Sequence, residues 1–362
     1  MTRTRIIVIL VSALSMSLLA CREIYEPTID IKSNALVVQG LITDQPGPHY
    51  IKLTTTIPFN SGQTSVPVVG AQVSVDDDQG ATYIFNEFYP GEYRSSEDMI
   101  GMNGRIYTLN IHTQDGYSYK SSPQTLLPSI DISSIKSEIA IKNEVSEDEF
   151  GNLVLNEIQG ISAILQTEED YENNPMIRFK SEIIVQYVYP SGEAPPEGPG
   201  PLWYCWKIYE QAEGINNINL PTIDNIPGNI SNTIVAFVPR KSNKYYSLPW
   251  DRLIQGLLLN ISVYTINQTS YQYYYDVIKQ INSDESLFSP IPSQINSNMK
   301  CVNDPNKIVV GHFEASSKIS FGFIVRERFY PEDVHFELTN KLDSIPPSNC
   351  IDNVKPDFWV NN

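Results

Sequence analysis

From Leu36 onward the chain is written in short runs of alternating apolar and polar residues, each closed by turn formers. "LVVQGLIT" (36–43), "HYIKLTTT" (49–56), "AQVSVDDDQG" (71–80), "ATYIFNEF" (81–88), "GEYRSS" (91–96), "RIYTLNIHTQDG" (105–116) and "YSYKSS" (117–122) follow one another closely. Ala71, Val73 and Val75, and again Tyr107, Leu109 and Ile111, are apolar at every second position, which places them on one face of a strand. "DDDQG" and "TQDG" supply Asp and Gly where a tight turn needs positive φ or local side-chain hydrogen bonds. Seven such runs predict an antiparallel β-sandwich over residues 35–128. The aspartates of "DDDQG" are oxygen ligands of the kind calcium takes. They lack the alternating placement and the distal Glu of a calcium loop, and read as a hairpin turn.

Beyond Pro128 the β text continues, and residues 129–362 are expected to form a second β-rich domain. Ile161–Gln166 and Met176–Tyr189 are strand-like and flank the polar "ENNP", which suggests a hairpin. "PSGEAPPEGPGP" (190–201) is rich in Pro and Gly and reads as an exposed loop. One segment changes period. In "SYQYYYDVIKQINSDES", Tyr274, Val277, Ile278 and Ile281 recur at helical spacing, with Ser270 as the expected N-cap and Lys279 near the C-terminal end. An amphipathic helix packed on a sheet is predicted there.

The N-terminal pattern is different again. Arg3 and Arg5 precede an apolar stretch, Ile6–Ala20, interrupted only by Ser12, Ser15 and Ser17. A fifteen-residue helix rises only about 22 Å, short of a hydrocarbon core of about 30 Å, so the layout is that of a signal peptide over residues 1–20. "LLAC" ends it as a bacterial lipobox would, which makes Cys21 the expected lipidation site and first mature residue. Acyl chains contribute about 0.8 kcal/mol per buried CH₂, so the mature chain is expected to be held on the bilayer. Residues 21–34 carry a proline and no periodicity, as a tether would.

The 362 residues have 41% hydrophobic and 19% charged side chains, a globular composition, and a formal charge of −17. Loss of residues 1–20 leaves 23 basic against 42 acidic residues, a formal −19. Such a surface excludes nucleic acid as a partner. With Cys21 lipidated, Cys205, Cys301 and Cys350 remain, and parity in an oxidising compartment allows one disulfide and one free thiol. No C-x-x-C occurs and the four histidines stand singly, so no metal site and no cofactor are expected.

Catalytic motifs are missing too: no G-x-S-x-G, H-E-x-x-H, P-loop or G-x-G-x-x-G is present. His312 and Glu314 of "GHFEA" would share a face of a strand. They could share a proton, or be an ordinary strand pair. The acids of "TEEDYE" (167–172) are too close in sequence to frame a glycosidase cleft. Aromatic residues are the better candidates for contact. Trp203, Tyr204, Trp206 and Tyr273 are each either core or available to a ligand or partner, because exposed rings stack on sugars and enrich interfaces.

Cys21, "ALVVQGLIT", "GAQVSV", "GEY", "YCW" (204–206), "FSPIPSQINSNMKC" (288–301), "VVGHFEASS" (309–317) and "KPDFW" (355–359), in this order, resemble the Bacteroidota envelope lipoproteins of domain-of-unknown-function family 4249. The resemblance spans nearly the whole mature chain. It implies an outer-membrane lipoprotein with an N-terminal sandwich, working beside a TonB-dependent outer-membrane receptor, and it brings no defined catalytic activity. The sandwich also resembles immunoglobulin-like and carboxypeptidase-regulatory-like modules, through "GLITD", "VVGAQVSV" and "GEY". The family's cysteines are matched by Cys205 and Cys301, whereas Asn353 stands where a second terminal Cys would be. The resemblance therefore implies a Cys205–Cys301 disulfide, with Cys350 left over.

The leading expectation is a non-enzymatic binding or accessory lipoprotein of the outer membrane, on its surface or its periplasmic side, in nutrient uptake. A structural or adhesive envelope protein is the alternative, and a hydrolase the third reading.

Overall fold

The computed structural model describes residues 35–56, 65–148, 150–167, 175–190, 202–210, 232–240, 253–281, 295–329 and 334–339. The signal peptide, the tether 21–34 with Cys21, and Cys350 lie outside these residues, and so do the side chains of Trp203, Tyr204, Cys205 and Trp206.

The fold is mainly β. Strands β1 (Leu36–Thr43), β2 (Tyr50–Thr55), β3 (Val66–Pro67), β4 (Gln72–Asp77), β5 (Thr82–Tyr89), β6 (Glu92–Arg94), β7 (Ile106–His112), β8 (Ser118–Ser121) and β9 (Gln124–Thr125) form the N-terminal sandwich. The long strands β10 (Ser134–Glu147), β11 (Leu153–Gln166), β12 (Ile177–Pro190), β13 (Leu202–Glu210), β14 (Thr233–Pro239) and β15 (Leu253–Thr265) follow, then helix α1 (Gln268–Ile281), then β16 (Met299–Cys301), β17 (Val309–Phe329) and β18 (Val334–Thr339). All seven runs read as strands from their alternation are strands. Among the described residues no helix is long and apolar enough to cross a membrane.

Alternation becomes core in the expected way. Val73 and Val75 of β4 face Leu109 and Ile111 of β7 across an antiparallel ladder, all four buried, with Leu36, Val38, Ile51, Leu53 and Phe313 in the same cluster. At the β4–β5 turn, Asp77 Oδ1 accepts the backbone N–H of Gln79 (2.9 Å) and Ala81 (2.8 Å), and Arg105 pairs with the other oxygen. The "DDDQG" carboxylate is thus committed to its own turn.

The sandwich is not completed by residues 35–128 alone. Strand β16 adds to β8, and Val309–Ser316 of β17 runs parallel to β1, so Met299, Cys301, Val309, Phe313 and Ala315 sit in the first core. The same β17 then continues as Ser317–Val325, antiparallel to β15, where Phe323 and Val325 join a second core with Ile183, Val185, Leu257 and Ile261. One 21-residue strand therefore belongs to both cores.

The hairpin expected between Ile161–Gln166 and Met176–Tyr189 is replaced by another. Strand β11 pairs with β10 across the acidic turn and with β14, while β12 lies between β13 and β15. Strand identity follows from local period, but the partner is chosen by which apolar faces meet, and Ile161, Ala163 and Leu165 meet Val235 and Val238. Beyond Gly160 the β10–β11 ribbon stands outside β14, with Ile141, Val145, Leu153 and Leu155 exposed along one face.

Candidate functional site

Helix α1 begins earlier than its sequence signal. Asn267 Oδ1 accepts the backbone N–H of Ser270 at 2.9 Å, so Asn267 is the N-cap and not Ser270. Ser270 then faces inward, fully buried, one turn before Tyr274 and two before the buried Val277. That face packs over the stretch of β17 where one core gives way to the other.

Beneath α1, Glu314 on β17 meets Arg178 on β12. Arg178 Nε donates to Oε2 and Nη2 to Oε1, each at 2.9 Å, with both side chains buried. Ser316 Oγ donates to Oε1 at 2.6 Å, and the Tyr274 hydroxyl donates to Oε2. The guanidinium also lies 3.7 Å from the Tyr264 ring centroid, a cation–π contact. Burial pushes the Glu314 carboxyl up, but Arg178 beside it, with the hydroxyls of Ser316 and Tyr274, outweighs this and holds it below its ordinary value. Burial, and then the Glu314 charge, push the Tyr274 phenol well above its ordinary range, so it remains a donor. The network is an ionised bidentate pair with its oxygens already occupied.

His312 and Glu314 do share a side of the strand, as their spacing requires, yet they do not bond to each other. His312 Nε2 and Ser270 Oγ exchange a hydrogen bond of 2.8 Å, and the imidazole stacks on the Tyr273 ring, 4.6 Å between centroids. Nδ1 is buried without a partner among the described residues. Burial lowers the His312 pKa from 6.5 to about 4. The ring is therefore neutral in the folded protein near neutral pH. Because the folded value is the depressed one, its contribution to stability is intact above pH 6.5 and is lost as pH falls toward 4, with a total near 3 kcal/mol. His312→Gln should flatten the fall in stability between pH 6.5 and 5, read from urea midpoints; an unchanged slope would place the titration elsewhere.

The other side of the Tyr273 region opens into a cleft of about 760 Å³. Gln268, Gln272, Tyr273 and Asp276 of α1 form one wall, and Lys120 of β8 and Lys300 of β16 stand on the other. Amide and hydroxyl side chains are interspersed on a lining surface that is mostly apolar, with one aromatic ring, Tyr273, whose hydroxyl meets no partner among the described residues. Of the residues named from sequence, Tyr273 is half-buried on this cleft. Trp203, Tyr204 and Trp206 are on β13, which pairs with the outer side of β12. The four aromatics thus lie on two elements, Tyr273 on α1 and the other three on β13.

The side chain of Cys205, the expected partner of Cys301, lies outside the described residues. Cys301 is a free, buried thiol whose Sγ lies 3.3 Å from Asn303 Oδ1. It packs in the first core opposite Tyr119, whereas Cys205 is on β13, at the far end of the strand order from β16. Among the described residues no group of three or more His, Cys, Asp or Glu could hold a metal ion.

Three members of this site escaped the sequence reading. Arg178 stands between Ile177 and Phe179 on β12, a strand that also carries Lys180 and Glu182, and its partner is 136 residues away. Lys120 and Lys300 carry no sequence signal, since only the β8–β16 pairing brings them together.

Residues 22–321 match the model of a family described as "Domain of unknown function (DUF4249)". No curated protein and no solved structure matches the chain.

Proposed function

The chain belongs to the DUF4249 family, and from that premise we propose a non-enzymatic binding lipoprotein of the outer membrane, anchored through Cys21, that serves a TonB-dependent transporter in nutrient uptake. The observation that carries the binding role is the cleft between α1 and the β8–β16 pair, about 760 Å³ in volume, with a mostly apolar surface and a few polar side chains, the size and make-up of a small-ligand site. The anchor rests on the lipobox, and the transporter on what the family resemblance implies.

The buried network supports a non-catalytic reading. A carboxylate whose oxygens accept from Arg178, Tyr274 and Ser316 has little capacity left to take a proton. Ser270 and His312 have nucleophile-to-base spacing, but Ser270 is fully buried and, among the described residues, no acid orients Nδ1. Both arrangements are suited to holding α1 in place behind the cleft.

One observation favours the second reading, a structural or adhesive envelope protein. The β10–β11 ribbon exposes Ile141, Val145, Leu153 and Leu155 together, with Phe150 at its turn, and an exposed apolar face of this kind marks contact with another molecule.

Mild-detergent pull-down of the lipidated chain tests the first reading. Recovery of a β-barrel transporter is expected, and Cys21→Ser should move the protein to the soluble fraction. Retention of Cys21→Ser on membranes would refute the lipid anchor. Recovery of no barrel, under conditions that preserve other membrane complexes, would refute the accessory role and leave the structural reading.

A further inference from the structure

Lys120 and Lys300 are direct cross-strand partners in the β8–β16 ladder. Side chains so placed leave one face with Cβ atoms about 5 Å apart, and like charges there repel. Both lysines are exposed and both line the cleft. Neither makes an ion pair or a hydrogen bond among the described residues, in a chain where 42 acids were available against 25 bases. The acid on the cleft wall, Asp276, belongs to α1, where Gln272 Nε2 donates to it at 2.9 Å. The cleft therefore concentrates positive charge on one wall of a strongly acidic molecule, opposite a wall of amides and a tyrosine.

A single inorganic anion would fill only a small part of this space, and the rest of the lining combines apolar surface, suited to the C–H face of a sugar ring, with amide and hydroxyl groups suited to its hydroxyls. Gln268, Thr269 and Asn296 line it with no side-chain partners among the described residues. Tyr273 has one ring face occupied by His312, which fixes the plane it presents toward the cleft. With two ammoniums and one carboxylate on the walls, the balance of charge suits one negative group per binding unit.

We propose that the cleft binds an acidic sugar: the carboxylate of a uronate unit lies between Lys120 and Lys300, and the sugar ring lies against Tyr273, with its hydroxyls on Gln268, Thr269 and Asn296. This inference rests on the cleft being the ligand site of the proposed function and names the chemistry of that ligand. Charge-assisted hydrogen bonds from two ammoniums hold the carboxylate. Because both lysines are exposed, the affinity falls as salt screens them.

Calorimetric titration of the intact protein with an oligogalacturonate, and with the same oligosaccharide methyl-esterified, tests the proposal. The acid form should bind, and the ester about tenfold more weakly, since it lacks the charge that the lysines meet. Lys120→Gln with Lys300→Gln should bring the two ligands to equal affinity, while Tyr273→Ala should weaken both. Circular dichroism of each variant separates lost binding from lost folding, and the surface lysine variants are expected to fold. Equal binding of ester and acid by the unaltered protein, or an acid affinity untouched by the double lysine change, would overturn the acidic-sugar assignment while leaving the cleft as a ligand site. Binding of neither oligosaccharide would overturn it as well. The transporter partnership would then stand or fall on the pull-down alone.

Discussion

Glu314→Gln is expected to destabilise the fold by about 3–5 kcal/mol, because it leaves the buried Arg178 guanidinium without its counter-charge. Removing one partner of a buried pair costs far more than the pair itself contributes, since desolvation of the remaining ion is no longer offset. Arg178 on β12 and Glu314 on β17 tie the second core to the strand that completes the first, so a cooperative loss of both is expected. Urea unfolding should show a lower midpoint with an unchanged slope. Replacing both members together, Arg178→Met with Glu314→Leu, should recover much of the loss. Recovery will be incomplete, because Tyr274 and Ser316 would each lose an acceptor. The effect also has a pH signature. Since the folded Glu314 pKa is lowered, its contribution is present above the unfolded carboxyl range and is lost as pH falls through the folded value. A Glu314→Gln midpoint within a few tenths of a kcal/mol of the unaltered protein would contradict this account.

Gly311→Ala is the second large effect. Gly311 has φ +99°, a conformation that residues with a side chain rarely adopt. A Cβ there would stand 1.9 Å from the carbonyl oxygen of Val38. That oxygen is backbone in the neighbouring strand, directly opposite Gly311 in the β1–β17 register, so it has no rotamer by which to move aside. Accommodation requires separating β1 from β17 locally, at an expected cost of about 3 kcal/mol or more. Gly116 offers the comparison: its φ is +86°, but an added Cβ would meet nothing within 4 Å. Gly116→Ala should therefore cost only the backbone strain, about 1 kcal/mol. Equal losses at the two positions would show that strain, and not the close approach of β1, sets the effect at Gly311.

Much of the fold was legible because β structure has a local signature. A period of two, turn residues between runs and the 3.6 period of "YYYDVIKQI" were enough to locate seven of the nine strands β1–β9 and the helix, but not the short β3 and β9. The same reasoning chose the wrong neighbour for β11, since pairing is a contest among faces distant in sequence. It also placed the helix cap three residues late. Asn267 and Ser270 are both good caps by type, and only the path of the chain out of β15 determines which one has non-helical geometry.

The candidate site was less legible, for a related reason. His312 and Glu314 were paired correctly on one side of a strand, because that relation is fixed within two residues. What each does was set by residues reached through folding: Glu314 by Arg178 and Tyr274, and His312 by Ser270 and Tyr273. The family's cysteine pattern suggests a bridge between Cys205 and Cys301; Cys205 is on β13, with its side chain outside the described residues, and Cys301 is buried in the first core.

By itself, then, the sequence determined the class of fold, the strand and helix segments, the inward faces and the family, all of which depend on backbone period and short-range chemistry. Tertiary structure alone decided that β17 would serve two cores, that Arg178 would neutralise Glu314, and that Lys120 and Lys300 would stand side by side across a cleft from Tyr273. Those outcomes depend on which apolar faces exclude water together, a free energy summed over the whole chain. The charges then take the positions that this packing leaves them.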